Sequence, residues 1–107
     1  MPYRVIFRVE AQHDAIDAVL YLREHASPAV ARAWHAGLVD AIRSLESLPK
    51  RGAPAREHRL FPDHDLRQLI YKSHRIIYTV VGQDVHVLHI RHGRQDALRS
   101  LHSLPDG

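Results

Sequence analysis

A chain of 107 residues, 45% of them apolar, has the size of one domain around one core, and without cysteine it has neither a disulfide nor a thiolate nucleophile or ligand. Fifteen Lys and Arg against twelve Asp and Glu give +3, and the excess lies in the second half: residues 1–49 sum to −1, residues 50–107 to +4 with seven of the ten histidines. No window approaches the roughly 20 apolar residues of a membrane span, and Arg4 and Arg8 interrupt the first apolar run, which argues against a signal peptide. These features lead us to expect a soluble, cytoplasmic, single-domain protein over residues 1–107.

In chain order, "YRVIFRV" (3–9) alternates β-branched and aromatic residues and is expected to be a strand. "AQHDAIDAVLYLREH" (11–25) changes period, with Ile16, Val19, Leu20 and Arg23 at helical spacing. Ser27-Pro28 combines an N-cap hydroxyl with a proline at the first helical position. From there Val30, Trp34, Leu38, Ile42, Leu45 and Leu48 make one apolar stripe that ends at Pro49, so the two helices should form an antiparallel hairpin.

Residues 50–64, with a glycine, two prolines and mixed charge, are expected to form a surface loop. Three strands should follow at 65–72, 75–81 and 85–91, joined by turns at Lys72-Ser73-His74 and Gly82-Gln83-Asp84. A short helix is expected in "DALRSLHS" (96–103). The order is β-α-α-β-β-β: an α+β fold with a helical hairpin packed on a small, mainly antiparallel sheet.

Ten histidines invite a metal reading, which their spacing opposes. His86, His89 and His92 lie three apart, and on a regular strand odd separations alternate faces, while His86 and His92 share a face about 20 Å apart. No metal is expected. No nucleophile elbow exists and Gly93 alone is no phosphate loop, so no cofactor is expected either. His13, His25, His35 and His102 read as solvated surface; His74 and His92 differ because they flank arginines at strand ends.

The arginines are the stronger candidates. Arg67, Arg75 and Arg91 lie in or at the start of neighbouring strands, Arg94 follows the last one, and Arg75 and Arg91 open and close one hairpin. Guanidinium forks match phosphate or carboxylate, so several at one sheet end would make an anion site. The competing reading is of edge charges that block aggregation.

The segments "YRVIFRVEAQHDAIDAVLYL", "LPKRGAP", "DLRQLIYKSHRIIYTV" and "VHVLHIRHGRQD", in this order and spacing, resemble toxins of the RelE/ParE superfamily of type II toxin–antitoxin modules. The resemblance implies the same β-α-α-β-β-β fold and a cognate antitoxin protein encoded alongside. It allows two activities. RelE-like members are ribosome-dependent mRNA endonucleases, which need a base, an acid and cations for the phosphorane. ParE-like members poison DNA gyrase and need no catalytic group of their own.

For a nuclease, the resemblance would give Arg75 to the phosphate, Arg67 to an upstream basic position, Glu57 or His58 to the base and His92 to the acid. The ending His92-Gly93-Arg94 departs from the nuclease pattern and is more typical of the ParE-like branch, so gyrase is the favoured target. Arg67, Arg75, Arg91, His92 and Arg94 are then expected to contact the target or nucleic acid. The stripe Val30, Trp34 and Leu38 is core on one reading and an antitoxin-binding groove on the other. A non-toxic, degenerate binding module is the third possibility.

Overall fold

In the computed structural model, which describes residues 2–101 and 104–105, seven regular elements follow one another. They are β1 (Arg4–Phe7), α1 (Val9–His25), α2 (Pro28–Arg43), β2 (Ala53–Pro54), β3 (Leu66–Tyr71), β4 (His74–Val81) and β5 (Asp84–His92). The sheet order is β1-β5-β4-β3-β2. β1 runs parallel to β5 and every other pairing is antiparallel. This is the expected α+β architecture, two helices on a mixed, mainly antiparallel sheet.

Both helices follow from local chemistry. Ser27 Oγ accepts the Val30 N–H at 3.1 Å, and Pro28 occupies the first turn. Trp34, Leu38 and Ile42 then bury one face of α2, and Leu45 extends it through a 3₁₀ turn at Ser44–Glu46. The helix stops at Arg43, short of the expected 48, where the Ser44 hydroxyl donates to the Ala41 carbonyl. Val30 and Leu48, at the two ends of the stripe, are exposed. α1 buries its small residues instead. Ala11 and Ala15 lie against the sheet, while Ile16 and Leu20 point outward.

The sheet is covered on both faces, which explains the almost unbroken apolar run of β4. Ile76, Tyr78, Val85, Val87 and Ile90 meet the helices. Ile77, Leu88, Leu66 and Ala55 form a second cluster on the opposite face, closed by Phe61, Leu98, Leu101 and Leu104. Residues 96–101 adopt no helix; their leucines pack as an irregular segment. His102 and Ser103, the end of the helix expected there, lie outside the described residues.

Four local details shape the hairpins and the edge of the sheet. Both hairpin turns have two residues between paired positions, Tyr71↔His74 and Val81↔Asp84, one fewer than expected. Gly82 takes φ +60° at the first turn position, as a type II′ turn requires, and Lys72 takes φ 53° without glycine's freedom. A bulge between Ile77 and Tyr78 of β4 leaves Leu88 of β5 without a partner and resets the alternation of faces. Beyond Phe7, where β1 ends, Asp14 of α1 caps the edge of β5 by accepting the Ile90 N–H at 3.0 Å and bonding His89 Nδ1 at 2.9 Å.

Tyr71 ties β3 to α2 by donating its hydroxyl to the Trp34 carbonyl at 2.8 Å. A side chain at Gly37 would collide with that hydroxyl, so the close approach depends on the missing Cβ. The expected loop 50–64 also contains β2 and a 3₁₀ turn at Arg56–Arg59, and Arg67 pins its start through the Lys50 and Gly52 carbonyls.

Candidate functional site

The open end of the β4–β5 hairpin pairs His74 with His92 and Arg75 with Arg91. Alternation divides these pairs between the two faces. The histidines turn toward the helices and the arginines away from them.

On the helical face, His74 lies between Trp34 and His92, with ring centroids 5.0 Å and 5.2 Å away. Tyr71 continues the row at 5.8 Å from Trp34. Trp34, His74 and His92 line a groove of about 820 Å³ together with Asp14, Asp17, Tyr21 and Val30. Burial, and secondarily the neighbouring His92, pull the His74 pKa below the ordinary imidazole value, so the ring is neutral at pH 7. His92 Nδ1 accepts the Arg94 N–H at 3.1 Å. Gln95 Oε1 takes the His92 N–H and Ser73 O takes the Gly93 N–H, so the chain turns sharply away from the sheet.

The opposite face corrects the expectation for Arg75 and Glu57. Both are fully buried, each with 0% of its surface exposed. Arg75 grips Glu57 with two parallel bonds, Nη1–Oε1 at 2.9 Å and Nη2–Oε2 at 3.1 Å, and gives a third to Gln68 Oε1 at 3.0 Å. Burial would push the Glu57 carboxyl up; the Arg75 fork and the Leu98 N–H outweigh it and hold the group below the usual carboxylate range. An ionised carboxylate with both oxygens engaged on a buried guanidinium cannot reach a substrate hydroxyl, and its partner has no fork left for a phosphate. His58, the other expected base, bonds the His64 carbonyl within its own loop.

Arg91 is directly opposite Arg75 but faces a different partner, donating to the Asp96 carbonyl at 2.7 Å. Arg94 is exposed just beyond. Arg67 is not brought to this end. It lies opposite Tyr78, three residues or about 10 Å further along the sheet than Arg75, and bonds Asp65 and the Lys50 and Gly52 carbonyls. Of the expected set, Arg91, His92 and Arg94 share the hairpin end and remain at least partly exposed, with Arg56 and Arg99 exposed on the same half of the chain.

The Val30, Trp34 and Leu38 stripe divides similarly: Leu38 and Trp34 are core, and Val30 alone offers surface, on the groove rim. The larger groove, about 970 Å³, lies between α1 and α2 and is lined by Ile16, Val19, Leu20, Arg23, Ala31 and His35. The bulge at Leu88 also separates His86 and His92, expected on one face, onto opposite faces of β5. Among the described residues no three His, Cys, Asp or Glu side chains converge as a metal site would require.

The family model for the ParE toxin of the type II toxin–antitoxin system parDE matches residues 2–97. The chain belongs to this family. A solved structure described as the chromosomal ParDE toxin–antitoxin system from P. aeruginosa is similar to this ParE-family chain with a TM-score of 0.71 at 17% identity, covering 84% of this chain and 95% of that one. The toxin–antitoxin complex RelBE2 from Mycobacterium tuberculosis is similar with a TM-score of 0.58 at 22% identity, covering 86% of this chain and 99% of that one. At these identities the likeness carries the fold alone. Among curated proteins, none matches the chain at a significant level. No helix among the described residues is long and apolar enough to cross a membrane.

Proposed function

We propose that this ParE-family toxin arrests bacterial growth by binding DNA gyrase and performing no chemistry of its own. The observation that carries the reading is the buried Glu57–Arg75 pair, which takes a strand arginine and a loop carboxylate out of any phosphate reaction. What remains at the hairpin end is the His74–His92 pair and the partly or fully exposed cations Arg91 and Arg94, which suits recognition of an acidic surface by charge. A transesterification needs both a base and an acid in reach of the 2′-hydroxyl and leaving oxygen. A cognate antitoxin would cover the groove between α1 and α2, where the exposed Ile16 and Leu20 of α1 share the lining with Ala15 and Ala31 and offer an apolar seat for an amphipathic helix.

The alternative, a ribosome-dependent endonuclease, is favoured by a single feature: two imidazoles, His74 and His92, stand together with ring centroids 5.2 Å apart, and imidazole is the side chain most used for acid–base work. Two variants discriminate. His92→Gln should remain toxic on induced expression, whereas Arg94→Glu should weaken toxicity by reversing an exposed contact charge. Loss of toxicity in His92→Gln together with loss of mRNA cleavage would favour the nuclease instead, since a general acid contributes roughly a hundredfold or more in rate.

A further inference from the structure

After β5 the chain turns back across the sheet face opposite the helices. Residues 95–101 are held there by a few contacts. Arg56 Nη1 donates to the Gln95 carbonyl at 3.4 Å and Arg91 Nη2 to the Asp96 carbonyl at 2.7 Å. Leu98 and Leu101 pack on Ala55, Leu66, Ile77 and Leu88. The Leu98 N–H donates to Glu57 Oε2 at 2.8 Å.

These contacts are unequal. The bonds from Arg56 and Arg91 join side chains to carbonyl oxygens in exposed surroundings, where water competes for both partners. The Leu98 bond ends on an ionised, fully buried acceptor that Arg75 holds by both oxygens. A hydrogen bond to a charged partner away from water is shorter and stronger than a neutral one. Of the hydrogen bonds that hold the segment, the one to Glu57 is therefore the strongest, and it adds to the packing of Leu98 and Leu101. Arg94 lies four residues before Leu98 and Arg99 directly after it, both exposed.

We infer that Glu57 is a positioning residue for the target-binding end of the molecule. Through the Leu98 N–H it fixes residues 95–101 on the sheet, and so sets the direction in which Arg94 and Arg99 meet an acidic protein surface. The inference rests on the proposed reading of the hairpin end as the target-binding surface. It assigns a function to a carboxylate that is buried too deeply to touch any target, and Arg75 becomes its orienting partner rather than a contact residue.

The test leaves the buried pair intact. Leu98→Pro removes the N–H, and with it one donor to Glu57 Oε2, but leaves both bonds between Arg75 and Glu57, whereas Leu98→Ala keeps the N–H and removes packing. Full-length wild-type and variant proteins are compared by amide hydrogen exchange over residues 95–101, by melting temperature and by gyrase inhibition with supercoiled DNA. In Leu98→Pro the neighbouring amides should exchange about ten- to hundredfold faster. Inhibition should weaken by about tenfold or more, the loss expected for a contact worth one such bond, while the melting temperature stays near that of wild type. A purely structural role would move inhibition only in step with melting. If proline also lowers the melting temperature, Leu98→Ala decides: it retains inhibition where the bond matters and loses it equally where packing alone matters, which would overturn the inference. Unchanged exchange in Leu98→Pro, or faster exchange with undiminished inhibition, also overturns it. Wild-type protein without any effect on gyrase removes the underlying target reading and the inference with it, and that outcome is visible before any variant is compared.

Discussion

Glu57 and Arg75 dominate the energetics at the scale of single residues. Removing one partner of a buried ion pair strands the other charge, so Glu57→Ala should destabilise the fold by about 3–5 kcal/mol. The double replacement Glu57→Leu with Arg75→Met should cost markedly less, because no charge is left behind. Urea titrations of the two variants measure the difference; equal losses would mean that the pair is not desolvated in solution. The histidines add a pH dependence whose sign is fixed. His74 has a folded pKa below its ordinary value of about 6.5, so the unfolded chain binds protons first as pH falls. Its contribution is complete above about pH 6.5 and is lost as pH drops through the folded value. His86, lowered mainly by burial and then by Arg8, acts in the same direction. Glu57, also lowered, adds a second loss only below the usual carboxylate range. Melting temperature should thus fall in two stages on acidification, and His74→Phe should reduce the first stage while leaving the second.

Among the elements, α2 depends most on one side chain. Trp34 is 5% exposed and packs tilted against Tyr71 and edge-on against His74, so Trp34→Ala should cost about 3–5 kcal/mol. Thermal melting of the isolated protein checks this; a mutant that melts as wild type would return Trp34 to the surface. The elements also mark how far the sequence was legible. The proline-started helix, the two hairpins and the order of strands follow from periodicity and turn residues, and β1 needed only a partner. The bulge at Leu88 was not legible, because one extra residue in an apolar strand changes no composition, yet it decides which histidines share a face. β2, two residues long and half proline, gives no strand signal. Arg75 reads as a surface charge at a strand start; its burial follows from a second covered face and from Glu57, eighteen residues away in an irregular turn. Arg91, His92 and Arg94 were placed together correctly by hairpin geometry, and Arg67 was not, because strand adjacency alone does not fix position along a strand.

For the whole molecule, charge and coverage are divided. The helical half carries −1 and exposes apolar residues beside α1 and α2; the sheet half carries +4 and gathers exposed cations around the end of β5 and the segment after it. Such a division suits two partners at once, an antitoxin on the helices and an acidic target at the cationic end, with the second contact weakened by salt. The most direct measurement adds the purified protein to DNA gyrase with supercoiled DNA, and in parallel to ribosomes translating an mRNA. The expected result is gyrase-dependent linear DNA, revealed after protease treatment, with intact mRNA. Truncated mRNA cut only on ribosomes, with DNA supercoiling unaffected, would contradict it.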